Sequence, residues 1–191
     1  MDNRILKCGI VGGVIVFVWL LISWMFLPWH YQSLKKFRDE NKVYNVIRDN
    51  APVSGIYILP NMYVYREGIS QNELNREMAS QTQMMARGPV LFASVSVDGV
   101  TGPRYLPFVI ALLIQIVGAG IITWMLFQTR LGTSEQKITF VTTVGLLIGI
   151  LGFLPDWNWW RFSLSYTLGC MADQLIGWFL AGIAIAKLSR K

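Results

Sequence analysis

Four stretches of this chain are long and apolar enough to cross a bilayer, and they restrict its fold more than any other feature: residues 8–28, 105–128, 138–155 and 162–187. A hydrocarbon core about 30 Å thick requires roughly 20 apolar residues in a helix. Inside that core every backbone polar group must be satisfied within its own segment, so a spanning stretch of this length is helical. The expected fold class is therefore mainly α, a four-transmembrane-helix bundle. A small α/β extracytoplasmic domain, residues 29–104, lies between the first and second helices. The composition agrees, with 53% hydrophobic residues and eight Trp.

Arg4 and Lys7 ahead of the first run would also suit a signal peptide. The run exceeds a usual signal core and no A-x-A-like site follows, so it reads as an uncleaved anchor. Cys8 precedes the apolar residues, which does not fit a lipoprotein signal. Basic residues set the orientation. With the N-terminus inside, the cytoplasmic pieces hold Arg4, Lys7, Arg130, Lys137, Lys187, Arg190 and Lys191, while the short loop between spans three and four holds only Arg161. Both termini are expected in the cytoplasm. The net charge of +6 is mostly this topology signal, and a nucleic-acid partner has little to stand on. Cys8 and Cys170 lie at different depths of two spans, too far apart for a disulfide.

The segment 29–104 has the pattern of a folded unit. Leu34, Phe37, Tyr44 and Ile47 fall near one face of a helix over 33–49, ended by Asn50-Ala51-Pro52. Residues 55–60 read as a strand between breakers. Ser70 followed by Glu73 is a capping box that starts a helix to about Met85. Leu91, Ala93, Val95 and Val97 alternate with Phe92, Ser94 and Ser96 in a strand over 90–97. The inner loop 129–136 is short, so the spans it joins are expected to be neighbours.

Asp173 is the chemical oddity. At 1.5 Å per residue it lies roughly 18 Å from Arg161 and 21 Å from Lys187, too deep for a short side chain to reach water. Such an acid normally faces protein. Ser165, Gly169, Asp173, Gly177 and Ala181 recur every four residues as a stripe suited to close packing, and span three offers Thr142, Gly145, Gly149 and Gly152. Counting depth from the turn puts Thr142 or Thr143 beside the acid, and the same count lands near Gln115 in span two and Trp19 in span one. A polar cluster of Asp173, Gln115, Thr142, Thr143 and Trp19 is the expectation. In its protonated form the acid would donate to Gln115 or a threonine.

His30, with Trp29, reads as structural or interfacial packing at the outer end of span one, and Trp157, Trp159, Trp160 and Arg161 as a headgroup-level belt. A lone histidine without a cysteine or carboxylate cluster at ligand spacing implies neither metal nor haem, and no cofactor is expected. No G-x-S-x-G, P-loop or H-E-x-x-H is present, so no catalytic residue is assigned.

Leu27-Pro28-Trp29-His30, followed by the stretch Asn50-Ala51-Pro52-Val53-Ser54-Gly55-Ile56-Tyr57, resembles a family of small four-span bacterial inner-membrane proteins with an LPWH exit and an NAPxxGIY-type segment. The resemblance covers the first third best. It implies a bacterial inner membrane and carries over no activity. The function expected from all this is a non-enzymatic accessory or structural component of a cell-envelope complex, whose partners are the lipid bilayer and a membrane protein or a second copy. A small transporter protonating Asp173 is the alternative. A further alternative is an outer ligand sensor with Tyr57, Tyr63 and Tyr65 around a pocket.

Overall fold

The computed structural model describes residues 3–189, so Arg190 and Lys191 of the topology argument lie outside it. Four of its helices are long and apolar enough to cross a membrane, the build of an integral membrane protein. They are α1 (Asn3–Phe26), α5 (Leu106–Phe127), α6 (Ser134–Trp160) and α7 (Leu164–Leu188). Between them in sequence lie the short α2 (Pro28–Ser33), α3 (Glu40–Asn50), β1 (Gly55–Leu59), α4 (Gln71–Arg87) and β2 (Leu91–Val95). Two compact units result. Lys36–Thr101 forms one, and the chain up to Lys35 and from Gly102 forms the other. The boundary falls at Lys36 rather than at Trp29, because α2 packs on α7 and stays with the bundle.

In the bundle α7 is the most enclosed helix. It packs against α6 and α1, and α1 packs in turn against α5. Glycines make these approaches possible. A Cβ on Gly13 would overlap the Ile116 backbone of α5, one on Gly9 would stand 3.0 Å from Gly120 Cα, and one on Gly145 of α6 would overlap the Trp178 side chain of α7. Of the stripe expected on α7, Gly169, Asp173, Gly177 and Ala181 are buried and Ser165 is exposed. On α6 Gly145 and Gly149 are buried, while Gly152 is exposed and faces open space. The expectation that α5 and α6 would be close neighbours is corrected, since they touch only sparsely. A short loop fixes that their ends are near, but the glycine faces of α1 draw α5 to it instead.

Helix α6 extends beyond the apolar run 138–155, continuing through Pro155 to Trp160. Arg161 closes it in the left-handed region at φ 61°, and Ser163 caps α7 by accepting from the Tyr166 N–H. Cys8 and Cys170 are both buried and are not joined in a disulfide.

The second unit carries two helices and a two-stranded antiparallel sheet, with Ile56 opposite Ser94 and Ile58 opposite Phe92. The Ser70–Glu73 capping box forms as expected. The first helix starts later than expected, at Glu40, where Asp39 caps it by accepting from the Lys42 N–H. Its half-buried face is Val43 and Ile47, whereas Leu34, Phe37 and Tyr44 are exposed.

Candidate functional site

The deep acid is held by groups from the other end of the sequence. Ser23 Oγ donates to Asp173 Oδ1 at 2.5 Å. His30 Nε2 lies 2.7 Å from Asp173 Oδ2 and 3.2 Å from Ser23 Oγ. Trp29 Nε1 donates to Ser23 Oγ at 3.0 Å. Trp24 stacks on the imidazole, with centroids 3.9 Å apart and planes 10° from parallel, and Tyr166 of α7 meets Trp24 edge-on. Ser23, His30 and Asp173 are 0%, 1% and 1% exposed.

Local backbone chemistry builds this site. A proline pushes the residue before it into extended conformation, and Leu27 is extended at φ −93°, ψ 142°. Pro28 then occupies the first turn of α2, where its missing N–H costs nothing. The chain therefore leaves α1 at Phe26 and turns within a residue, setting His30 on a new short helix against α7. Ser33 Oγ donates to the His30 carbonyl at 2.7 Å, which fastens the end of that turn. Gly169 on α7 makes room for the Trp29 ring, 3.3 Å from where a Cβ would be.

The acid is buried, and the groups that bond it are not those expected from depth. Thr142 Oγ1 donates to the Ile138 carbonyl of its own helix, and Thr143 is exposed. Gln115 lies on α5, whose backbone there packs against Gly13. Trp19 sits one turn deeper than the acid, against Gly177, and its buried Nε1 has no hydrogen-bond partner. Depth counting missed because it fixes level but not the axial slide of one helix along another, and Ser23 rather than Trp19 comes level with Asp173. His30 is buried in the protein, and Trp29 is half-buried beside it. Trp157, Trp159 and Arg161 are exposed as a belt requires, and Trp160 is half-buried.

Electrostatically the histidine answers the acid. An isolated carboxylate in a bilayer interior costs a few kcal/mol, and such groups pair or face protein. An imidazole at 2.7 Å offers a partner whichever of the two holds the proton.

Serine, histidine and aspartate together invite comparison with a hydrolytic triad, and the geometry differs in kind. In a triad the serine and the acid bond opposite ring nitrogens, so that the ring takes the serine proton while the acid steadies it. Here both face Nε2, the serine donates to the acid, and the buried Nδ1 has no hydrogen-bond partner. No group of three or more His, Cys, Asp or Glu side chains that could hold a metal ion exists among the described residues. Tyr63 and Tyr65, which a sensor pocket would need, are 79% and 77% exposed, and Tyr57 spends its hydroxyl on the Val53 carbonyl.

Comparison with protein-family models, with curated proteins and with solved structures gives no match for this chain.

Proposed function

We propose that this chain is a non-enzymatic integral protein of a bacterial inner membrane, an accessory or structural component of a cell-envelope complex. In this reading both termini are cytoplasmic and residues 36–101 lie outside. The asymmetry of Lys and Arg around the spans supports the orientation, and the LPWH and NAPxxGIY-type stretches support the bacterial membrane.

One observation carries the non-enzymatic reading: Ser23, Asp173 and His30 Nε2 bond one another, and the three residues are at most 1% exposed. Two cavities of the bundle are lined by other residues and do not reach Asp173. Ser23–Asp173–His30 acts as a clasp that locks α1, α2 and α7 in register, a use of buried polar groups attested elsewhere. Protonation-driven transport through Asp173 would need a water path, and the enclosure of the acid counts against it. Assembly is supported by the second unit, where Ile56, Tyr63, Tyr65 and Val100 are 60–96% exposed.

Purification in a mild detergent with amine crosslinking before extraction tests the assembly role. The expected result is a defined higher species that disappears when residues 36–101 are replaced by a flexible linker. A strict monomer under both conditions would remove the proposal.

A further inference from the structure

We propose that the end of the bundle carrying Arg4 and Lys137 binds an anionic phospholipid, with the phosphate headgroup in a basic pocket and an acyl chain in the groove between α1 and α5. A cavity of about 570 Å³ opens there, lined on its polar side by Arg4, Thr129, Lys137 and Ser189. The two cations come from different helices, and no carboxylate is among the described lining residues. Lys137 Nζ donates to Ser189 Oγ at 3.1 Å and reaches the Ser189 carbonyl at 3.4 Å, which holds its ammonium at the pocket wall. The Arg4 guanidinium stands 5.3 Å over the Phe127 ring, so its charge too is fixed at this level. From Ser189 the sequence continues with Arg190 and Lys191.

A second, independent cavity identifies the ligand as an amphiphile. It is a groove of about 270 Å³ whose walls are Ile5, Leu6 and Ile10 of α1 and Val117, Ile121 and Trp124 of α5. It begins one residue beyond Arg4 and one turn before Phe127, on the same two helices. Gly120 forms part of its lining, and a Cβ there would meet nothing within 4 Å. A soluble anion would gain nothing from an oily groove next to its site, whereas a phospholipid uses both halves. Basic pockets between spanning helices on the cytoplasmic side are known headgroup sites, each cation contributing about 1 kcal/mol, or roughly fivefold in affinity.

The inference rests on the four helices being spans; failure of that reading would show separately, as a chain that stays soluble without detergent. The test uses the full chain, delipidated in detergent, with thermal unfolding followed as lipid is added. Phosphatidylglycerol and cardiolipin are expected to raise the midpoint. Phosphatidylcholine with the same chains and inorganic phosphate at the same concentration are expected not to. Equal stabilisation by phosphatidylcholine would overturn the headgroup assignment, and equal stabilisation by inorganic phosphate would make the site a free-phosphate site. R4Q and K137Q should each weaken phosphatidylglycerol roughly fivefold while R4K and K137R retain it. Gly120→Leu should weaken full-length phosphatidylglycerol and spare a short-chain analogue. If R4Q and K137Q do not fold, Gly120→Leu decides the matter, and equal binding of both chain lengths by it would refute the acyl groove.

Discussion

Replacing Asp173 with alanine takes the acceptor away from two buried groups at once, and the structure allows the cost to be worked out. Oδ1 accepts from Ser23 at 2.5 Å, and Oδ2 lies 2.7 Å from His30 Nε2. An interhelical hydrogen bond within a bilayer contributes about 0.6 kcal/mol on average, and one involving a charged partner about 1.5–3 kcal/mol. Some of this is recovered, because Ser23 Oγ already lies 3.2 Å from His30 Nε2 and the two former partners can close on each other. The expected loss is about 1.5–3 kcal/mol. Equilibrium unfolding in mixed micelles of mild and denaturing detergent, followed by tryptophan fluorescence, measures it. Trp24 stacks on His30 and Trp29 bonds Ser23, so the signal reports on the cluster itself. Leu168→Ala, at an exposed position of the same helix, should stay within about 0.5 kcal/mol of the parent. The double variant Asp173→Ala/His30→Ala should cost less than the sum of its singles by about 0.5–3 kcal/mol, as residues sharing one bond do. An Asp173→Ala protein as stable as the parent, with additive singles, would refute the clasp.

Two further outcomes follow from backbone geometry. Gly145→Ala places a methyl group 2.9 Å from the Gln174 carbonyl and into Trp178, and should destabilise by about 1–3 kcal/mol as α6 and α7 are pushed apart. Gly152→Ala, seven residues on and facing open space, should raise stability by up to about 1 kcal/mol through helix propensity alone; the same unfolding assay separates the two. In the second unit, Ser70→Ala removes the acceptor of the Glu73 N–H and half of a capping box. It should cost α4 about 1 kcal/mol, seen as faster amide exchange in its first turn, with α5–α7 unchanged.

The parts of this fold that could be read from sequence are those set by local rules. The four apolar runs are four helices long and apolar enough to cross a membrane, and a helix satisfies every backbone group within its own segment. Ser70 and Glu73 formed their box because both bonds are made within one turn. The apolar run ends at Pro155 because hydropathy falls there, while the helix continues past that proline to Trp160. For the deep acid, inward orientation was legible from the small residues spaced around it, but its partners were not. Partner choice depends on how far α1 slides along α7 and on the turn at Leu27-Pro28, neither of which periodicity encodes. The available signal was Ser23 and His30 themselves, polar groups seven residues apart on either side of a proline at the end of an apolar run. Reading the LPWH stretch as an interfacial exit hid that the proline begins a helix packed on α7.

Carbodiimide labelling of Asp173 in the native protein, located by mass spectrometry, probes most directly whether this acid is sealed inside protein. One arm uses a water-soluble reagent and the other a membrane-permeant apolar one. With Asp173 1% exposed, neither reagent should modify it until the bundle is unfolded. Modification by the water-soluble reagent would reveal an aqueous path to the acid, and modification by the apolar one would place it against lipid; either result contradicts a closed Ser23–Asp173–His30 clasp.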